Sequence, residues 1–169
     1  MRKRGSGSFT SAEFRFACSL FPTGVTVVTR LMPDRTPHGL TVSSFTSLSL
    51  RPPLVLVCID LRSSFLKGLT GEDVFAINVL NERQKYLSIH FSRPREEERF
   101  QKVIWHEGER GVPLLSDAVA TFQCGLSRTV DAGDHRILIG EVRRLEYRKL
   151  PPLVWYHGSY YPMARRRQR

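Results

Sequence analysis

The sequence predicts a mainly β fold, an antiparallel barrel that is closed or partly closed and carries a few peripheral helices. Its 169 residues are the length of a single domain. Strand patterns outnumber helix patterns, and most connections between them are short. Because too few helices separate the strands for β-α-β alternation, a doubly wound parallel sheet is disfavoured and a barrel fits better.

The first half of the chain is predicted to open with a helix and to continue with strands. Thr10 and Glu13 stand at capping-box spacing ahead of apolar residues, which predicts a helix over residues 11–20. Apolar and β-branched runs then predict strands, with one serine-rich helical turn between the last two. These elements are a strand at 24–31, a hydroxyl-rich strand running into a loop at 39–50, a strand at 54–59, the turn at 63–69 and a strand at 74–80.

The second half is predicted to contain two helices followed by four strands. Helical spacing covers residues 82–91 and 95–103. Two long strand patterns flank the turn Asp131-Ala132-Gly133-Asp134, and two short apolar strands end the body. The four strands are expected at 118–130, 136–147, 153–157 and 159–162.

The net charge of +10 is concentrated at the two ends of the chain. Seven of the 26 basic residues lie within 1–9 and 164–169, and neither segment contains an acidic residue. Both ends are predicted to be disordered, solubilising tails around a body at residues 10–163. Nucleic-acid binding is disfavoured, because a basic face built into the fold would keep its charge in the body.

Membrane, disulfide and metal functions find no support in the sequence. The longest aliphatic run, residues 54–59, is far shorter than the roughly 20 residues that span a bilayer. No apolar signal-peptide segment follows the basic start, so a cytoplasmic protein without membrane contact is expected. The three cysteines lack disulfide or redox spacing, and the five histidines lack metal-ligand spacing.

A group of hydroxyl residues is the first candidate binding feature. Hydroxyl and backbone N–H groups suit a planar polar ligand, because they donate and accept hydrogen bonds without adding charge. The alternative is a half-exposed strand whose outer face favours Thr and Ser. The residues are Thr41, Ser43, Ser44, Thr46 and Ser47.

Other polar positions also have a binding and a structural interpretation. Ser63 and Ser64, at a predicted helix start, would either hold a phosphate or cap the helix. Asn78, inside an apolar strand, is either a structural hydrogen-bonding residue or a ligand contact. Arg93 beside Ser92 would either bind an anion or lie solvated on the surface.

A histidine after a tight turn completes the set of candidate residues. His135 follows Gly133-Asp134 and would have either a chemical role in the site or a merely structural one. The sequence contains no nucleophile elbow, no P-loop and no GxGxxG motif. The residues alone therefore indicate a β-barrel with a hydroxyl-lined pocket and no hydrolase machinery.

Eight short segments stand in a fixed order along the body. They are FPTGVTVVT (21–29), HGLTVSSF (38–45), SLRPPLV (49–55), FAINVL (75–80), GVPLL (111–115), GDH (133–135), IGEV (139–142) and PLVWYHG (152–158). Each segment is weak evidence alone, but together, over about residues 10–163, they closely resemble the short-chain flavin reductase family.

This resemblance implies a split β-barrel of the Greek-key, FMN-binding type, and a homodimer with flavin bound close to the subunit interface. It implies an NAD(P)H:flavin oxidoreductase that passes hydride from NADH or NADPH to FMN or FAD. Reduced flavin would then diffuse to a partner monooxygenase. Since the cofactor carries the hydride chemistry, no catalytic protein residue is expected. The alternative is a non-enzymatic flavin-binding or flavin-sensing protein whose basic tails contact a partner or nucleic acid.

The resemblance also implies where the cofactors bind. Residues 41–44 would line the isoalloxazine edge and ribityl chain, and the two serines at 63–64 would meet the phosphate. His135 matches the family position linked to nicotinamide binding, and Tyr160 would help to close the pocket. The full expected flavin-binding set is Thr41, Val42, Ser43, Ser44, Asp60, Ser63, Ser64, Asn78, Val79, Ser92, Arg93 and Tyr156. Whether flavin is a shuttled substrate or a retained cofactor stays open.

Overall fold

The structure is a computed structural model that describes residues 9–93 and 98–163. Within these ranges it contains two α-helices, α1 (Ser11–Ser19) and α2 (Lys85–Phe91). The strands are β1 (Thr23–Gly24), β2 (Thr26–Leu31), β3 (Pro37–Val42), β4 (Thr46–Leu50), β5 (Pro53–Asp60), β6 (Val74–Val79), β7 (Trp105–Glu107), β8 (Pro113–Leu115), β9 (Ala120–Ala132), β10 (His135–Tyr147), β11 (Val154–Tyr156) and β12 (Ser159–Tyr161). The mainly β prediction is confirmed.

Seven strands form one antiparallel sheet in the order β3-β2-β6-β9-β10-β5-β4. Its two edge strands, β3 and β4, are consecutive in the chain and are joined only by residues 43–45. A sheet whose edges are joined so closely must curl until they approach each other. Since β3 and β4 form no ladder in the described residues, the barrel is split between them.

The inside of the curled sheet is an apolar core. The side chains of Val57, Phe65, Phe75 and Leu138 are fully buried there. Packing is so close that a Cβ atom at Gly140 would lie 2.6 Å from the ring of Phe75, which explains why a strand position carries glycine. The core therefore fills the barrel and leaves ligand space only at its margins.

A second apolar cluster covers the outside of β2. Helix α2 contributes Leu87 and Phe91, which pack with Val27 of β2 and Leu153 ahead of β11. Two small sheets, β1-β11-β12 and β7-β8, lie outside the seven-stranded sheet. The end of α1 is fixed to the β11–β12 turn, because the Ser19 carbonyl accepts from the His157 N–H at 2.8 Å.

Several predicted elements differ from the observed ones. The segment 39–50 forms two strands, because the chain leaves the sheet at residues 43–45. The helical turn at 63–69 is a single 3₁₀ turn, Ser64–Leu66, and the helix at 82–91 begins as the 3₁₀ turn Glu82–Gln84. The helix at 95–103 falls partly outside the described residues, and its described part, residues 98–103, contains no α-helix.

The β7-β8 hairpin was not predicted. Its connection needs two consecutive residues with positive φ, Arg110 at 54° and Gly111 at 83°. Arginine rarely adopts that conformation, so its identity gave no turn signal. The predicted tails, apart from Phe9, lie outside the described residues. Neither α-helix in the described ranges is long and apolar enough to cross a membrane.

Candidate functional site

A cavity of about 440 Å³ lies at the split between β3 and β4. Its volume is in the range of small-molecule sites. Three chain segments that are distant in sequence form its walls: the entry to β1 and β2, the β3–β4 connection and the end of β6. The lining residues are Phe21, Pro22, Thr23, Gly24, Thr26, Ser43, Ser44, Phe45, Thr46 and Val79. Ser43, Ser44 and Val79 belong to the predicted flavin-binding set.

Some of the five hydroxyl residues predicted as a binding feature make structural hydrogen bonds, whereas others remain available to a ligand. Thr41 Oγ1 donates to the Ser88 carbonyl at 2.7 Å and so ties β3 to α2. Ser44 Oγ accepts from the Cys58 N–H at 2.9 Å and donates to the Cys58 carbonyl at 3.1 Å. Ser43, in contrast, makes no side-chain hydrogen bond within residues 9–93 and 98–163, and it lines the cavity. Thr46 also lines the cavity and makes no side-chain hydrogen bond in the described residues, so Ser43 and Thr46 are the hydroxyls of this set that are available to a ligand there.

The cavity wall also contains polar groups whose hydrogen bonds are unmet. Thr23 Oγ1 is buried and has no partner among the described residues. The amide N–H groups of Ser43, Ser44 and Phe45 donate to no backbone acceptor in the same part of the chain. Buried polar groups are nearly always satisfied, so the unpaired Thr23 Oγ1 indicates a place for a polar molecule, and the three N–H groups, in a segment exposed at Ser43 and half-buried at Ser44 and Phe45, are accessible to such a ligand or to solvent. Thr23 was missed as a site residue, although the segment 21–29 that carries it was conspicuous in the sequence.

Asn78 is a structural residue as far as its side chain is concerned. The amide is fully buried, and its Nδ2 donates to the Val27 carbonyl at 3.0 Å and to Thr29 Oγ1 at 3.1 Å. Its Oδ1 accepts from the Leu115 N–H at 2.9 Å. These hydrogen bonds hold β2, β6 and β8 together, which favours the structural interpretation of the side chain, and the flavin contact through this amide stays a prediction. A backbone contact at Asn78 stays a prediction.

The neighbouring predicted residues Val42 and Val79 lie at the ends of their strands. Val79 lines the cavity. The carbonyl of Val42 accepts from Thr26 Oγ1 at 2.9 Å, so this backbone group is already used. Both valines pair with Thr26, which itself lines the cavity. Val42 thus helps to build the wall, whereas Val79 forms part of it.

A cluster of charged side chains lies where β5 ends and β10 begins, next to the cavity. Asp60 ends β5 and pairs with His135, the first residue of β10. Arg62 binds both oxygens of the Asp60 carboxylate, Nε to Oδ1 at 3.0 Å and Nη2 to Oδ2 at 2.7 Å. His135 Nδ1 lies 2.6 Å from Asp134 Oδ1. Asp60 is two residues, about 7 Å, beyond Cys58, the partner of Ser44, so this group and the cavity lie at the same end of β5.

Hydrogen bonds keep the carboxylates of this group ionised. The Arg62 guanidinium, through its side-chain hydrogen bond, holds the pKa of the Asp60 carboxyl far below its usual range. The hydrogen bond from His135 likewise lowers the pKa of Asp134. Both carboxylates are exposed enough for salt to screen them. They therefore contribute to the local electrostatic potential and add little to the unfolding free energy.

The two predicted phosphate contacts face different surroundings: the Ser63 N–H donates to the Asp60 carbonyl at 2.9 Å, whereas Ser64 lines another cavity. Ser63 Oγ accepts from the Phe65 N–H at 3.3 Å and caps the 3₁₀ turn. Ser64 Oγ lies 3.1 Å from His38 Nε2, and both residues line a different cavity of about 820 Å³ together with Lys67. The structure therefore does not group Ser64 with Ser43 and Val79.

Ser92 and Arg93 end helix α2. Ser92 Oγ donates to the Ile89 carbonyl at 2.8 Å, so it closes the helix. Arg93 is exposed, and its carbonyl accepts from Arg99, which also donates to the Gly39 carbonyl at 2.7 Å. Arg99 is only 6% exposed, and it was not recognised in the sequence as a buried cation. Through Arg99, Arg93 is linked to the start of β3, near His38 and Ser64.

The two tyrosines expected over the pocket do not line the 440 Å³ cavity. Tyr156 packs against Tyr161, with ring centroids 5.9 Å apart. The hydroxyl of Tyr160 lies 2.8 Å from Ser88 Oγ, so Tyr160 is tied to α2. Since β11 pairs with β1 at the cavity rim, Tyr156 stands close to the cavity without forming its wall.

Comparison with known proteins gives consistent similarities. The flavin reductase like domain family matches residues 18–164. The reductase component of a flavin-dependent trigonelline monooxygenase from Acinetobacter baylyi is 42% identical over 153 residues, 90% of this chain and 49% of that protein. A flavin reductase (NADH) from Kitasatospora aureofaciens is 46% identical over 143 residues, 82% of this chain and 74% of that protein.

A solved structure shares the fold. The NADH:FAD oxidoreductase of Streptomyces globisporus, in complex with NAD and FAD fragments, superposes with a TM-score of 0.86 at 35% identity, covering 93% of this chain and 94% of that chain. Some curated relatives are longer than this chain, which spans 49% to 66% of the length of three of them.

Proposed function

The chain belongs to the flavin reductase like domain family, and on that premise we propose that it is an NAD(P)H:flavin oxidoreductase. FMN or FAD would bind in the 440 Å³ cavity, and NADH or NADPH would approach from the His135 side. A bound flavin supplies the chemistry, since its N5 accepts hydride from C4 of a reduced nicotinamide. The protein's part is to bind, orient and exclude water.

The unmet polar groups of the cavity wall support flavin as the ligand. An isoalloxazine ring is planar and apolar over most of its surface, with carbonyl and N–H groups along the pyrimidine edge. The free N–H groups at Ser43, Ser44 and Phe45 match the carbonyls, and the hydroxyls of Ser43 and Thr23 can donate or accept. Phe21, Pro22 and Val79 offer apolar contact to the rings. This combination is the observation that carries the proposal.

The names of two relatives suggest the hydride donor and the protein that consumes the reduced flavin. The Acinetobacter relative is the reductase component of a monooxygenase, and the Kitasatospora relative is named for NADH. For this chain we therefore favour NADH as donor and a flavin-dependent monooxygenase as consumer of the diffusing reduced flavin. A protein that consumes a reduced nicotinamide works where that nicotinamide is regenerated, which supports a cytoplasmic location.

Anaerobic mixing tests the reaction and separates it from the non-enzymatic alternative. The protein is mixed with NADH or NADPH and an excess of FMN or FAD, and the loss of oxidised-flavin absorbance is followed. Rapid catalytic loss with at least one pair supports the oxidoreductase. Tight flavin binding without any reduction by either nicotinamide would support a flavin-binding or flavin-sensing protein instead.

A homodimer is also part of the proposal. Helix α1 buries none of its residues, and Phe14 and Phe16 are 57% and 56% exposed. Phe21, at the cavity rim, is 73% exposed. Monomeric proteins rarely expose so many neighbouring aromatic side chains, so a second copy covering α1 and the cavity mouth accounts for them.

Sedimentation measures the proposed assembly. We expect a species of twice the 19.4 kDa chain mass at micromolar concentration, and a shift toward monomer in Phe16→Glu, because a charge would enter the apolar interface. The matched control is Ile104→Glu, which places the same charge at a side chain that is 81% exposed and lies outside α1 and the lining of the 440 Å³ cavity. A stable monomer of the native protein would contradict the dimer.

His135→Ala tests the nicotinamide contact. Loss of one hydrogen bond to a charged or buried group is worth about 1–3 kcal/mol, so KM for NADH should rise, or hydride transfer slow, by roughly 5- to 150-fold. Flavin affinity and melting temperature should stay near native values. His106→Ala, an exposed histidine on β7, is the control. A fall in melting temperature with unchanged kinetics would assign His135 a structural role.

A further inference from the structure

The turn between β9 and β10 holds His135 in a defined position. The connection consists of Gly133 and Asp134, and Gly133 has a φ of 61°, which only glycine adopts readily. The carbonyl of Asp134 accepts from the Leu61 N–H at 2.9 Å, so the turn is fixed to the residue after β5. The backbone on both sides of the imidazole is therefore constrained.

Three carboxylates stand at this end of the sheet, and only one of them contacts the imidazole. Asp60 has both oxygens bound by Arg62. Asp131 is bound by Arg136, Nε to Oδ1 at 2.6 Å and Nη2 to Oδ2 at 2.9 Å. Asp134 Oδ1 remains for His135 Nδ1, at 2.6 Å. Asp60 and Asp131 are thus neutralised by arginines, whereas Asp134 acts on the histidine.

We propose that Asp134 is a positioning residue that holds neutral His135 as its Nδ1–H tautomer and so presents the Nε2 lone pair to the primary carboxamide of the nicotinamide. This inference rests on the proposed function. A carboxylate is an acceptor only, so its partner nitrogen must carry the proton. The other nitrogen of a neutral ring is then an acceptor, and a carboxamide NH₂ is the donor that fits it.

The surroundings of the ring agree with this assignment. His135 Nε2 contacts no protein group in the described ranges, and the side chain is 43% exposed. The hydrogen bond from His135 lowers the pKa of Asp134, so the carboxylate stays an acceptor throughout the neutral pH range. Without Asp134, the neutral ring would distribute between both tautomers, and the Nε2–H form would point a donor at a donor.

The first test observes the tautomer in the absence of any substrate. Nitrogen-15 NMR of the histidine side chains distinguishes protonated from bare ring nitrogens, and His135→Gln identifies the His135 signals. We expect the Nδ1–H form to dominate in the native protein and in Asp131→Ala, and the Nε2–H form to gain population in Asp134→Ala. An identical tautomer distribution in the native protein and Asp134→Ala would overturn the proposal.

The second test compares NADH with an analogue in which an acetyl group replaces the carboxamide. The analogue lacks the NH₂ donor, so the native protein should have a lower KM for NADH than for the analogue. In Asp134→Ala the KM for NADH should rise about 3- to 10-fold, the scale of one neutral hydrogen bond, and the difference between the two nucleotides should shrink. Asp131→Ala removes the same charge from the same hairpin and should keep the native difference.

The outcomes separate this inference from the proposed function. Native protein that fails to oxidise NADH with either flavin would refute the reductase activity, while the NMR result would still report on the Asp134–His135 contact. Native turnover with an unchanged nucleotide preference in Asp134→Ala would overturn the positioning role alone. Equal effects in Asp134→Ala and Asp131→Ala would also overturn it, since they would indicate only a change in local charge.

Discussion

The Ser43→Phe variant is expected to bind FMN and FAD at least about 100-fold more weakly than the native protein, a loss of about 2.7 kcal/mol. Ser43 lies at the wall of a 440 Å³ cavity, and a phenyl ring there would take the volume that the isoalloxazine needs. The exposed connection between β3 and β4 tolerates the larger side chain in the absence of ligand. Titration of flavin fluorescence and the melting temperature measure the two effects separately.

Two further variants make this result specific. Ser43→Ala removes the hydroxyl without filling the cavity and should weaken binding only by the roughly 0.5–1.5 kcal/mol of one hydrogen bond. Ser127→Phe places the same ring on the exposed half of β9, away from the cavity, and should bind flavin normally. Native affinity in a folded Ser43→Phe protein would show that flavin binds elsewhere.

The Asn78→Leu variant is expected to lose about 3–5 kcal/mol of unfolding free energy, because the buried Leu115 N–H, Val27 carbonyl and Thr29 hydroxyl lose a partner together. Leucine keeps the branched shape of asparagine but is larger, so overpacking adds to the loss from the broken hydrogen bonds. Urea unfolding, followed by the transition midpoint, measures it. Gln101→Leu, an exposed amide, should change stability by less than about 0.5 kcal/mol.

A milder change keeps this prediction testable if Asn78→Leu does not fold. Thr29→Val removes the acceptor of one Asn78 bond and also the donor to the Pro113 carbonyl, and should cost about 1–3 kcal/mol. Unchanged stability in both variants, together with weakened flavin binding, would return Asn78 to the ligand-contact interpretation.

The strands of the barrel were predictable because their patterns are long. Residues 24–31, 54–59 and 74–80 are rich in apolar or β-branched residues over six to eight positions, and each contains a strand of the main sheet. β7 and β8 have three residues each, too few for a pattern to stand out from its surroundings. The sequence also could not separate one hydroxyl-rich strand from two, since the break at residues 43–45 follows from the curl of the whole sheet.

The site was predictable as a region but not residue by residue. Thr41 and Ser44 look as suitable for a ligand as Ser43, yet their partners, Ser88 and Cys58, stand 47 and 14 residues away and become neighbours only in the fold. Asn78 likewise finds partners on two other strands. Which polar side chain remains unsatisfied is a property of the packed structure, and residue type alone does not reveal it.

The position of residues 43–45 couples ligand binding to the transient separation of the two edge strands, β3 and β4. These three residues both join the two edges of the sheet and line the cavity, so spreading of the split would pull the cavity wall apart. A ligand that binds only the closed form stabilises it by mass action, about 2.7 kcal/mol at 100 times its dissociation constant. Amide hydrogens at the split between β3 and β4 should therefore exchange more slowly with solvent when flavin is present. The exchange rates of amide hydrogens in the barrel core should stay unchanged.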